Sequence, residues 1–221
     1  MLAYISLLQS EMLSTCRSEL LKTQKKSGKE IRQILHLNTQ VQAHYAALRA
    51  AQSSYYSALA SLNPYAIAAA KAHLMYVKSQ GYALHLTQQL LIRQADFSLQ
   101  AGIISAEMQI RANFKKFPAL GESTLFHHLN LSNRTQKVAI ESVSSRTPSE
   151  YRLKADFEAE QLQSISWSYF FMSSKSKWLN SFYKNSVPFS DQCAATLKVK
   201  NLSFRAFLKE DKWLSKQFSP F

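Results

Sequence analysis

Apolar residues recur at three- and four-residue steps up to about Phe114, and proline interrupts that stretch only at position 64, a pattern that predicts helices. From Ile34 onward the period approaches seven. Ile34, Val41, Leu48, Tyr55 and Leu62 form one heptad column, and Asn38, Tyr45, Gln52 and Leu59 form another, four residues later. Such a stripe faces a neighbour, and the polar Asn38 and Gln52 within it point to packing that is partly wet or specific in register. Ser61-Leu62-Asn63-Pro64 then breaks the helix, with Asn63 suited to the N-cap and Pro64 to the first position of a new helix. That helix repeats the alternating spacing at Ile67, Ala70, Leu74, Val77, Gly81, Leu84, Gln88, Leu91 and Ala95. Two stripes joined by so short a turn predict an antiparallel helical hairpin, in which Ala70, Gly81 and Ala95 let the backbones approach closely.

A first helix is expected over about residues 2–21, with Ile5, Leu13, Cys16 and Leu20 near one face. The following stretch, Lys22 to Glu30, has no apolar side chain, so the helix either continues through solvent or breaks near Gly28. After Phe114 the texture changes. Pro118, Gly121, Ser132-Asn133 and the serine-rich 142–149 read as irregular connections. Tyr151, Leu153, Ala155, Phe157 and Ala159 then alternate with Arg152, Lys154, Asp156, Glu158 and Glu160, the period of a half-buried strand. Ile165, Trp167, Tyr169 and Phe171 repeat the alternation, 197–200 reads as a further strand, and Phe204 to Phe221 has the spacing of a short amphipathic helix. The expected fold is mainly α with a small α+β C-terminal region: a helical part over 1–115 with its hairpin turn near 61–64, an irregular connection over 116–150, and a strand-rich part over 151–221.

Composition narrows the function classes. With only 4 Gly in 221 residues, folds built on glycine-rich phosphate loops are disfavoured, and 12% aromatic residues argue against a disordered chain. The formal charge of +13 attracts anionic surfaces without choosing among nucleic acid, lipid headgroups and acidic proteins. Its cations are spread over both halves of the sequence, unlike the single basic patch of many nucleic-acid binders. The apolar opening, residues 1–8, is far shorter than the ~18–20 residues of a transmembrane helix. An opening of this kind also resembles the end of a membrane anchor whose upstream part has been removed. Cys16 and Cys193 are the only cysteines, which leaves no CxxC pair or zinc cluster. They are either a disulfide in an oxidising compartment or two free thiols, with the free thiols the first expectation.

Lys22, Lys25, Lys26 and Lys29 fall on one helical face with Arg32 at its edge, a candidate site for phosphates or anionic headgroups; the alternative is a solvated segment. His127-His128 lacks the further ligands and spacing of a metal site, and no cofactor is expected. Asp156, Glu158 and Glu160 share one face of the expected strand, where pairing with Arg152 and Lys154 accounts for them more simply than acid–base chemistry. Tyr45, Tyr55, Tyr56 and Tyr76 on the hairpin could stack on bases, though aromatics at helical spacing are more often core or interface. No hydrolase, nucleotide-binding or dinucleotide motif occurs in a convincing setting, so a non-enzymatic role is expected.

The order of elements, an apolar helical opening, a long helical spine and a small late strand-rich region containing Cys193-Ala-Ala-Thr-Leu197, resembles pilin-like envelope proteins, closest to the minor pilins of tight-adherence pili. The resemblance implies a structural or assembly component of a cell-envelope apparatus of pilus or secretion type, with other proteins bound through helical surfaces and an anionic membrane surface as a further contact. It favours the envelope over the cytoplasm. The competing reading is a basic nucleic-acid-binding protein using Lys22, Lys25, Lys26, Lys29 and Arg32.

Overall fold

A computed structural model describes residues 2–115, 125–134, 137–173, 189–200 and 203–208. The chain is mainly helical: α1 (Leu2–Ala60) and α2 (Pro64–Lys115) pack against each other and are followed by antiparallel strands. The turn between them forms where the sequence places it. Asn63 Oδ1 accepts the N–H groups of Tyr65 and Ala66 at 3.0 and 3.4 Å, so it caps α2, and Pro64 occupies the first helical position. Leu62 ends α1 in the left-handed region, φ 54°, and its side chain is 85% exposed. It therefore leaves the heptad column expected to include it.

The strands are β1 (Leu125–Arg134), β2 (Ile140–Ser142), β3 (Tyr151–Leu153), β4 (Gln163–Ser173), β5 (Phe189–Lys200) and β6 (Ser203–Leu208), with one helical turn, α3 (Phe157–Glu160), before β4. Three expectations change here. The connection 116–150 contains two strands, β1 and β2. The alternation from Tyr151 is realised as strand only to Leu153; Ala155 and Asp156 turn and Phe157–Glu160 coil, because Phe157 N–H bonds back to the Lys154 carbonyl at 3.1 Å. The expected closing helix is replaced over Ser203–Leu208 by β6, whose residues pair with β5 in the register Val199↔Phe204 and Leu197↔Ala206; the rest of that segment lies outside the described residues.

The chain divides into two compact units that interleave in sequence. The first comprises Met1–Gly28, Phe97–Lys137 and Glu158–Phe221, and holds the sheet β1-β4-β5-β6, antiparallel throughout. Its core gathers Met12, Cys16 and Leu20 of α1, Ile103, Ala106, Ile110 and Phe114 of α2, and Ile165, Trp167, Cys193 and Ala195 of the sheet. Cys16 and Cys193 are joined by a disulfide with their Cα atoms 6.3 Å apart, within the ordinary range. The free thiols expected first are therefore not what the fold contains.

α1 does not break at Gly28. The apolar-free stretch is helical and its inward side is buried in polar form: Gln24 Nε2 donates to the carbonyls of Gln161 and Ala195 at 2.8 and 3.3 Å and to Gln163 Oε1 at 3.2 Å, while Gln161 Nε2 donates to Ser27 Oγ at 3.2 Å. Gln163 Nε2 in turn donates to the Leu99 carbonyl at 2.7 Å. Burying an amide is costly unless it is bonded, and the network bonds the Gln24 amino group while leaving Gln24 Oε1 without a partner. Gly28 adds close approach, since a Cβ there would lie 3.2 Å from both Leu197 Cδ2 and Phe204 Cβ.

The second unit, Lys29–Asp96 with Val138–Phe157, pairs the remaining lengths of both helices with the ribbon β2–β3. Ile34, Val41, Val77 and Gly81 are buried; Leu48, Tyr55, Ile67, Leu74, Leu84 and Leu91 are half-buried. In its later half the second column of α1 runs one residue ahead of the expected one. Ala51 is buried and Ala58 half-buried where Gln52 and Leu59 are exposed, so there the second column follows the first by three residues instead of four. The polar members of the stripes hold the ribbon and its loop. Asn38 exchanges two hydrogen bonds with the Tyr151 backbone at 2.7 and 2.9 Å, Tyr45 Oη donates to the Pro148 carbonyl at 2.5 Å, and Gln88 Nε2 donates to the Ser149 carbonyl at 2.7 Å.

Candidate functional site

α2 is long, capped at Asn63 and free of internal proline, so it presents any three- and four-residue spacing as a continuous face. Its inward face is the one described above. Its outward face is also apolar. In the second unit Met75, Tyr82, Leu86 and Leu90 are exposed and, at ~100° per residue, fall within an arc of about 80°. In the first unit Phe97, Ile104 and Met108 are 69%, 53% and 64% exposed and fall within about 40°. These three line a groove of about 470 Å³ together with Gln100, Ala101 and Gln109 among others. A helix buried on one side ordinarily turns polar residues to the other, so a second apolar face makes α2 the candidate surface for binding.

The charges along this face are one-sided. Lys71, Lys78, Arg93, Arg111 and Lys115 of α2 are exposed. Its two carboxylates are turned aside: Asp96 Oδ1 accepts the Val138 N–H at 2.7 Å, and Glu107 Oε1 accepts from Asn133 Nδ2. The fold also redistributes the overall charge. The first unit contains 18 basic and 9 acidic residues, a formal +9, and the second 9 and 5, a formal +4.

The residues singled out in the sequence occupy separate places. Lys22, Lys25 and Lys26 lie on α1 in the first unit and Lys29 and Arg32 on α1 in the second; all five are exposed. Lys22 Nζ pairs with Glu19 Oε1 at 2.7 Å. That hydrogen bond, with the Lys22 charge and further bonds from Ser105 and Gln109, holds the Glu19 carboxyl below its ordinary range against the opposing effect of burial. Tyr45 and Tyr151 are pushed up chiefly by burial, whereas Tyr56 and Tyr76 are exposed. Asp156 sits in a turn and Glu158 and Glu160 on α3, so the three do not share a strand face. Arg152 pairs instead with Glu141, directly opposite it across β2–β3, at 2.6 Å. His127 and His128 are on β1, in register with Phe171 and Phe170 of β4. Among the described residues no group of three or more His, Cys, Asp or Glu could hold a metal ion, and no helix is long and apolar enough to cross a membrane.

The outward face of α2 is the feature that sequence reasoning passed over. Its signal was present: Met75, Tyr82, Leu86, Leu90, Phe97, Ile104 and Met108 are spaced by sevens and fours, as regularly as the inward column. Compared with known proteins, the chain matches no protein family, no curated protein and no solved structure.

Proposed function

We propose that this protein is a non-enzymatic structural or assembly component of a cell-envelope apparatus of the pilus or secretion type, working outside the cytoplasm through contacts between its helices and other proteins. The observation that carries the reading is the Cys16–Cys193 disulfide, buried in the core and joining α1 to β5 across 177 residues of sequence. Such links form and persist in oxidising compartments and are rare where thiols are kept reduced. The exposed apolar face of α2 supports the second half of the reading, since it offers a helix to a partner. The order of elements that resembles minor pilins agrees with both halves.

Fractionation of cells expressing the native gene, with thiol alkylation before and after reduction, tests the proposal. The expected result is recovery in the envelope fraction with both cysteines alkylated only after reduction. Recovery in the cytoplasm with two reactive thiols would overturn it. The nucleic-acid reading stands on the five exposed cations of α1 and predicts binding that collapses as salt rises and as those cations are removed. Absence of binding at moderate salt eliminates it.

A further inference from the structure

We propose that the groove on the outward face of α2 in the first unit docks one amphipathic helix of another protein, apolar on its inner seam and acidic along its flanks. The inference rests on the reading of the protein as one that works through helical surfaces and is independent of its compartment, so its failure is distinguishable from a failure of the fractionation above.

Three observations set the chemistry of the occupant. Phe97, Ile104 and Met108 follow one another at seven and four residues along a narrow arc, the spacing that receives the knobs of a single helix. Together with Gln100, Ala101, Ser105 and Gln109 they line a shallow, open depression on α2. From Phe97 to Lys115 the face is about 27 Å long, enough for roughly five turns of a partner. Arg111 and Lys115 then continue the same line beyond Met108, one and two turns on, both exposed, while Glu107 is occupied by Asn133. A unit with a formal +9 presents this cationic end to whatever docks, so carboxylates on the flanks of the partner gain and ammonium or guanidinium groups lose.

A second copy of this chain fits poorly. It would bring its own Arg111 and Lys115 to a face that already carries them. The three apolar side chains also expose on the order of 350 Å², less than half of the ~800 Å² per partner that a stable interface of ordinary size buries. That area suits a reversible contact with one helix.

The test uses the purified full chain with its disulfide intact and two synthetic helical peptides of about 20 residues, both Leu/Ile at the a and d positions, one with Glu and the other with Lys at e and g. Binding is read by fluorescence anisotropy. The Glu peptide is expected to bind with a micromolar Kd, at least about tenfold tighter than the Lys peptide at low salt, with the gap closing toward about 0.5 M salt. Met108→Asp should weaken the Glu peptide about tenfold or more, and Arg111→Glu with Lys115→Glu should reverse the preference. Each of these side chains is exposed, so circular dichroism should stay unchanged, with only a small fall in urea midpoint for the charge reversal at the C-terminus of α2. Binding of neither peptide, equal binding of both, or binding indifferent to Met108→Asp overturns the proposal. So does self-association, or adsorption to vesicles containing anionic phospholipid, that Met108→Asp abolishes, because each assigns the face to a different occupant.

Discussion

Gly102→Ala should destabilise the first unit even though alanine is the better helix former. A Cβ at Gly102 would lie 2.6 Å from the Thr23 Cβ across the contact between α1 and α2 and would overlap Thr23 Oγ1 and Cγ2 as well. Carbon atoms pack at about 3.5–4.0 Å, so either the helices part by roughly 1 Å or Thr23 moves. Thr23 is 8% exposed and its hydroxyl donates to the Glu19 carbonyl at 2.8 Å, so moving it gives up a bond in a packed place. Overpacking costs about 1–3 kcal/mol, and a clash with the root of a side chain belongs at the upper end. The gain in helix propensity returns about 1 kcal/mol, which leaves a net loss of about 2 kcal/mol. The other two described glycines give internal controls with the same propensity gain. At Gly81 the new Cβ meets the ring of His44, 2.6 Å from Cε1, and a ring at the end of a side chain can rotate away. At Gly28 it meets Leu197 and Phe204 at 3.2–3.3 Å, which asks for shifts of only a few tenths of an ångström. Equilibrium urea unfolding with the disulfide intact should therefore rank the losses Gly102 first, Gly81 second, Gly28 last. Thr23→Ala in the Gly102→Ala background should recover about 1 kcal/mol, a coupling that distant sites do not show. A Gly102→Ala variant as stable as the parent, or one indifferent to Thr23, would refute the close approach.

Removing the disulfide with Cys16→Ser and Cys193→Ser should cost up to about 5 kcal/mol by loop entropy for a separation of 177 residues, a loss comparable to the whole stability of many domains; the urea midpoint with and without reductant reads it, and an unchanged midpoint would contradict a structural role. Gln24→Leu should cost about 1–3 kcal/mol, because the carbonyls of Gln161 and Ala195 lose a buried donor, and equilibrium unfolding of the variant measures it. Stability should also depend on pH at both extremes. The Glu19 carboxyl is depressed in the fold, so its contribution is present above the ordinary value of 4.5 and is lost as pH falls below it. Glu19→Gln should flatten that acid limb in a pH series of unfolding midpoints. Tyr45 and Tyr151 are raised, so theirs is present below pH 10 and is lost as pH rises through that value, with Tyr45→Phe reducing the alkaline loss.

Much of the fold was legible because helix periodicity is a local property. The turn at 61–64, the N-cap at Asn63 and the inward column of α2 from Ile67 to Ala95 need only the chain's own spacing to be read. The same locality explains the misreadings. Lys22–Glu30 looks solvated because its residues are polar, yet Thr23, Gln24 and Ser27 are buried against partners more than 70 residues away in sequence. Tyr151 to Glu160 alternates as a strand, but only Tyr151–Leu153 finds a partner in β2, and an alternating segment without a ladder is free to coil.

By itself the sequence determined a long helical hairpin, its turn, a strand-rich C-terminal region and an excess of positive charge. Tertiary structure alone decided that Cys16 meets Cys193, that a polar stretch of α1 becomes core through the amides of Gln24, Gln161 and Gln163, and that +9 of the charge gathers in the unit bearing the groove. Spacing along a helix fixes which residues share a face. Which of two apolar faces is covered depends on what the rest of the chain packs there, and on α2 the column of Val77, Gly81 and Gln88 is buried while Phe97, Ile104 and Met108 are left exposed.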